Sequence, residues 1–128
     1  MVRGTQLAQM IKTKVWSRGA KEVHVRLSCP PLMFGCPYLN STRNDELIAR
    51  RVIDQLEGRH IEDDSITNPT EDVNGYLNSE SGKYIQLIEA IRKEKGFTSL
   101  RYQRILDMVS VIGLSQNRIC TYCWNGES

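Results

Sequence analysis

No run of apolar residues in this chain approaches the ~18 that a helix needs to cross a bilayer. The first residues, MVRGTQLAQMIKTKVW, mix polar and apolar positions, unlike the apolar centre of a secretory signal. A soluble, cytoplasmic protein with no membrane partner is therefore expected. A strong charge of one sign is lacking too, since 17 Lys+Arg stand against 15 Asp+Glu for a formal net charge of +2. The acids are unevenly placed: Glu57, Glu62, Asp63, Asp64, Glu71 and Asp72 crowd one stretch opposed only by Arg59. The basic excess elsewhere suits either an anionic partner or an ordinary solvated face, and no nucleic-acid partner is expected. Histidine is scarce: His24 falls outward on an expected strand and His60 in the acidic stretch, and both read as surface residues. No Ser/His/Asp set or paired carboxylates can be picked out, and no repeat recurs at a 20 to 50 residue period.

What is present suits one modest core, with 128 residues of which 40% are hydrophobic. Leu7, Ile11 and Val15 recur at helical spacing after Thr5 and before Gly19, which predicts a helix over residues 6–17. KEVHVRLS alternates Val23, Val25 and Leu27 with His24 and Arg26, the period of a half-buried strand, and Pro30 and Pro31 stop it. A second helix, capped by Thr42 or Asn44, carries Ile48, Val52 and Leu56 on one face and ends near Gly58. Residues 59–82 are acidic and rich in Asn, Ser, Thr and Pro, which predicts a flexible insertion. Tyr84, Ile88 and Ile91 mark a third helix stopped by Gly96. A fourth is expected from Ser99, with Ile105, Val109 and Ile112 in it and Gly113 at its end. The expected organisation is an α/β region over 1–58, the acidic insertion over 59–82, and a mostly helical C-terminal subdomain with a cysteine-bearing tail over 83–128. A lone strand cannot form a sheet, so the chain reads as part of something larger.

Four cysteines carry the strongest chemical signal: Cys29-x6-Cys36, and far downstream Cys120-x2-Cys123. A reducing cytosol disfavours a disulfide framework, which leaves thiols or metal ligands. Thiolates two residues apart can reach one soft metal while distant ones staple a loop to a tail. Buried thiols packed as small hydrophobes, and a redox pair at Cys120 and Cys123, are the other two readings. Trp124 and Tyr122 could shield such a cluster or simply fill the core. A second, weaker signal is VRGT at residues 2–5, where Gly4 allows a tight turn and Thr5 begins a helix whose free N–H groups could face a phosphate.

Taken together and in order, VRGT, AKEVHVRLSCPPLMFGCPYLN, NDELIARRV and ICTYCWNGE resemble the C-terminal part of the glutamine phosphoribosylpyrophosphate amidotransferases. The resemblance implies an α/β fragment: a strand of a type I phosphoribosyltransferase sheet joined to a mostly helical C-terminal subdomain. It implies a parent enzyme of purine biosynthesis that converts glutamine and phosphoribosylpyrophosphate to phosphoribosylamine. Val2, Arg3, Gly4 and Thr5 match the family's loop for the 5-phosphate and ribose hydroxyls, with Gln6 standing where a second threonine is usual. Arg3, Gly4 and Thr5 would be the phosphate-binding remnant. Family members with an iron-sulfur cluster take one cysteine from the loop after this strand and two from the terminal segment, which corresponds to Cys36, Cys120 and Cys123. Cys29, where the family has serine, either takes the fourth place or stays free. The implied cofactor is a 4Fe-4S cluster in the parent, with zinc as the alternative and none for the isolated chain. The implied partners are the rest of the parent chain and further copies of it. No catalytic residue is assigned, because the nucleophilic cysteine of the glutaminase and the acidic pair that orients the ribose belong to the family's upstream segments. The alternative function is a small cysteine-ligated metal-binding or interaction module.

Overall fold

The computed structural model describes residues 1–39, 43–59 and 71–127. Helix α1 (Thr5–Met10) runs on through a wider π-helical turn, Ile11–Val15, and a tight one, Trp16–Arg18. Strand β1 (His24–Leu27) follows and stops before the two prolines, as the alternation of Val25 and Leu27 with polar neighbours predicts. A tight turn at Asn44–Glu46 leads into α2 (Ile48–Leu56). Its Ile48, Ala49, Val52 and Ile53 are buried, one apolar stripe on a helix that is otherwise polar. Asn44 does not cap α2; its Oδ1 instead accepts the Gly35 N–H at 2.7 Å, tying the proline-rich loop to the helix start. Thr42, the other expected cap, lies outside the described residues.

Helix α3 (Gly82–Lys95) is capped by Ser81, whose Oγ accepts the Tyr84 N–H at 3.1 Å, and closes at Gly96 in the left-handed conformation, φ 71°. Buried Leu87 and Ile91 face α2. The chain then forms β2 (Ser99–Tyr102), parallel to β1 with His24 opposite Ser99 and Leu27 opposite Tyr102. Ser99 therefore does not open the fourth helix, contrary to the expectation from sequence. Four residues of SLRY are too few for alternation to stand out, and their partner strand lies far back in the chain. The crossover that parallel pairing demands is supplied by α2 and α3.

Helix α4 (Ile105–Ile112) and the short α5 (Tyr122–Asn125) complete the described elements. The core lies between α2, α3 and one face of the two-stranded sheet, with Phe97, Met33, Leu47, Ile53, Leu87, Ile91, Val52 and Val73 almost fully enclosed. Val73 and Tyr76 sit on a tight turn at Glu71–Tyr76, so this part of the expected flexible insertion contributes to the core. Two apolar residues three apart suffice for that, although the stretch is polar on average. Residues 60–70, the more acidic part, lie outside the described residues. Helix α4 has no buried residue, and Leu106, Val111, Ile112 and Leu114 are exposed. Among the described residues no helix is long and apolar enough to cross a membrane.

Candidate functional site

Two places gather the residues singled out in the sequence. The first is the loop at Val2–Thr5. Gly4 has φ 67° and its carbonyl accepts the Ala8 N–H at 3.0 Å, so the turn feeds directly into α1. A β-carbon at Gly4 would lie 2.7 Å from Met1 Sδ and 3.3 Å from Lys95 Cε, which leaves no easy room for a side chain. The Val2 carbonyl accepts the Ile48 N–H at 2.9 Å and fastens the loop to the start of α2. Residues 1–7 and Leu27 line an open pocket of about 520 Å³. Arg3 turns to Glu46, and this hydrogen-bonded ion pair raises the guanidinium pKa and holds the carboxyl below its ordinary value. Thr5 is exposed. Lys95, which sequence reasoning missed, lies beside Gly4 with its side chain only 8% exposed and its Nζ 3.0 Å from Glu94. Its position at the end of α3 offers no local cue that it reaches the other end of the chain.

The second place is where the tail meets the proline-rich loop. The Cys123 carbonyl accepts the N–H groups of Met33 at 2.8 Å and Phe34 at 3.1 Å, and the Phe34 and Tyr122 rings are 5.7 Å apart. Arg50 lies 6.0 Å from the centre of the Phe34 ring. This docking places the tail that carries Cys120 and Cys123 against the loop that carries Cys36, near enough for Cys36 and Cys120 to act on the Cys123 thiol. The Tyr38 N–H, then that of Leu39 and the Cys123 thiol, draw the Cys36 thiol below its ordinary pKa. Burial, reinforced by Cys36, pushes the Cys123 thiol up. Cys29 stands apart, where its charge acts on the buried Tyr102 hydroxyl. Trp124 Nε1 and Tyr102 Oη are buried without a hydrogen-bond partner among the described residues.

Of the four cysteines, Cys120 is exposed and Cys29, Cys36 and Cys123 are half-buried. Among the described residues no three His, Cys, Asp or Glu side chains converge as a ready-made metal site.

A third arrangement had no signal in the sequence. His24, expected as a solvated residue, joins Ser99 Oγ through Nδ1 at 2.7 Å and Glu22 through Nε2 at 2.9 Å, and Arg26 also donates to Ser99 Oγ at 2.9 Å. The β1–β2 register creates this network, so it could not be read before the strands were paired. His60 lies outside the described residues.

No protein-family model matches the chain, and no solved structure matches it. The chain is 28% identical over 128 residues to the amidophosphoribosyltransferase of Methanothermobacter thermautotrophicus, a match covering 99% of this chain and 20% of that protein. It is 34% identical over 67 residues to the chloroplastic amidophosphoribosyltransferase of Glycine max, covering 52% of this chain and 12% of the relative. It is 36% identical over 67 residues to the amidophosphoribosyltransferase of Drosophila melanogaster, with the same coverage of 52% and 12%. The chain thus spans no more than a fifth of the length of these curated relatives. These low and partial identities support a weak relationship to the amidophosphoribosyltransferases.

Proposed function

We propose that this chain is a C-terminal segment of an amidophosphoribosyltransferase-like enzyme and is catalytically inactive alone. The observation that carries the reading is the archaeal match, which takes in 99% of this chain but only 20% of the relative. Helix α4 supports it, since an apolar helix with no buried residue is what remains when a packing partner lies elsewhere in a larger body. The two-stranded parallel sheet supports it as well, because such sheets ordinarily have more strands and cover on both faces.

The parent reaction would join glutamine nitrogen to the ribose of phosphoribosylpyrophosphate in the cytoplasm. In that parent, Arg3, Gly4 and Thr5 would contribute to the phosphate loop. Here the Arg3–Glu46 pair keeps the guanidinium occupied. Cys36, Cys120 and Cys123 would hold part of a cluster in the parent, with a fourth thiolate from upstream chain or from Cys29. The purified chain supplied with glutamine and phosphoribosylpyrophosphate is expected to release neither phosphoribosylamine nor pyrophosphate, and turnover above a buffer blank would refute inactivity.

The docking of Cys123 on the loop that carries Cys36 favours one second reading, a small thiol-ligated zinc module. It requires one zinc per chain in protein purified without oxygen. Brown protein containing iron and sulfide would instead favour the cluster.

A further inference from the structure

We propose that the outer face of the β1–β2 sheet binds a small phosphate dianion between the Arg26 and Arg101 guanidinium groups. The site goes beyond the reading of the chain as a transferase segment and uses none of the residues in the Val2–Thr5 loop. Its basis is the strand register, which sets Arg26 directly opposite Arg101 while Val25 and Leu100 turn to the core. Side chains at a paired position point to the same face, and neighbouring strands lie about 4.8 Å apart, so the two cations leave the sheet side by side. Parallel sheets ordinarily bury both faces under apolar cover. This outer face instead presents His24, Arg26 and Arg101 exposed and Ser99 half-buried, a set that an apolar layer would cover only at a desolvation cost.

The two arginines play different parts. Arg26 is held in place: its Nη1 donates to the Val25 carbonyl and to Ser99 Oγ, both at 2.9 Å. Ser99 Oγ is fixed in turn by His24 Nδ1 at 2.7 Å, and His24 Nε2 meets Glu22 at 2.9 Å. The nearby carboxylate of Glu22 is thus engaged by His24 rather than by either arginine. Nη2 and Nε of Arg26 remain for a ligand, and among the described residues Arg101 makes no ion pair. Like charges directly opposite each other destabilise a ladder, and a doubly charged anion offsets both. Phosphate fits the pair because each guanidinium is a planar fork that matches two of its oxygens. A string of carboxylates fits less well, since the register supplies one arginine pair and not a row of them.

The test is titration of the full chain with inorganic phosphate at fixed ionic strength, followed residue by residue through backbone amide and arginine Nε–H NMR signals. Saturable shifts are expected in residues 24–27 and 99–102, with a dissociation constant on the order of 1 mM. Phosphate should also raise the melting temperature, and chloride at equal ionic strength should not. Arg101→Gln should weaken binding about tenfold or more, the ordinary effect of losing a charged hydrogen bond. That variant removes the opposed charge and is expected to fold at least as stably without phosphate, so a lost response reports on the site. Arg101→Lys, which keeps the charge but not the fork, should fall between the two. The proposal is overturned if no signal on the two strands moves up to about 50 mM phosphate, or if Arg101→Gln binds as tightly as the unaltered chain. It is also overturned if the shifts are confined to residues 2–5, which would place phosphate in the loop and leave the transferase reading intact, or if a hexa-aspartate peptide binds more tightly than phosphate.

Discussion

At the scale of single residues, position 4 illustrates how backbone shape dictates identity. With φ at 67° and Met1 Sδ against the site, Gly4→Ala introduces left-handed strain and displaces Met1. A loss of about 1–2 kcal/mol in chemical denaturation is expected. Leu87, fully enclosed between α2 and α3, behaves differently because its cost is lost packing: Leu87→Ala is expected to remove about 2–5 kcal/mol by the same measurement. Glu57 adds a pH dependence. Its carboxylate accepts the Tyr76 hydroxyl at 2.5 Å and the Lys83 ammonium at 2.9 Å, and these two bonds hold it below the usual carboxylate pKa. A carboxyl with a depressed folded pKa stabilises fully above its unfolded value and loses that contribution as pH falls through the folded one. The melting temperature should therefore drop as pH is lowered past about 4.5, and Glu57→Gln should lower it at pH 7 while flattening the drop. Tyr76 works on the alkaline side: burial, then the bond to Glu57, pushes it up to about 12. Its raised pKa gives stability that is complete below about pH 10 and lost toward pH 12.

At the scale of elements, the helices carry their own start and stop signals. Ser81 satisfies the Tyr84 N–H at the start of α3, and its hydroxyl also donates to the Gly75 carbonyl at 3.0 Å, joining the turn that bears Val73 and Tyr76 to the helix. Ser81→Ala is expected to cost about 1 kcal/mol, the ordinary value of an N-cap, read from the shift in denaturation midpoint. At the other end of α3, Arg92 donates to the Phe97 carbonyl at 2.7 Å and pairs with Glu89, so the last turn steers the chain into β2. The strand pair is a weaker unit. Arg26 stands opposite Arg101, so like charges face each other across a two-stranded ladder, and its stability rests on Val25 and Leu100 on the buried face.

At the scale of the whole molecule, the packing is uneven. Helices α2 and α3 and the inner face of the sheet enclose the core, whereas α4 lies outside it with its apolar residues exposed. Among the described residues the tail is tied back at the Met33–Phe34 and Cys123 junction and through ring contact with Phe34. That division explains why a chain matching one fifth of an archaeal amidophosphoribosyltransferase can have a core of its own and still leave a face without cover.

The helices were legible from sequence because their signals are local: Ile48, Val52 and Leu56, or Tyr84, Ile88 and Ile91, recur within a few residues, although Leu56 is exposed and Ile53 and Leu87 are buried beside the expected positions, and Gly96 and Gly113 end their helices in the conformation glycine favours. Strand β1 was legible for the same reason, through its period of two. Strand β2, the Glu22–His24–Ser99 network, Lys95 beneath Gly4 and the docking of Cys123 on the Met33–Phe34 segment were not. Each joins residues far apart in the chain, and periodicity carries no information about which distant segments meet. The cysteine spacing raised the question of a shared site; only the tertiary structure set the Cys123 carbonyl on the Met33 and Phe34 N–H groups, on the loop that carries Cys36. Local sequence determines which segments become helix or strand, because propensity and capping act over one or two turns. Tertiary structure decides which side chains become neighbours, because that depends on the single way the apolar faces of these elements can be buried together.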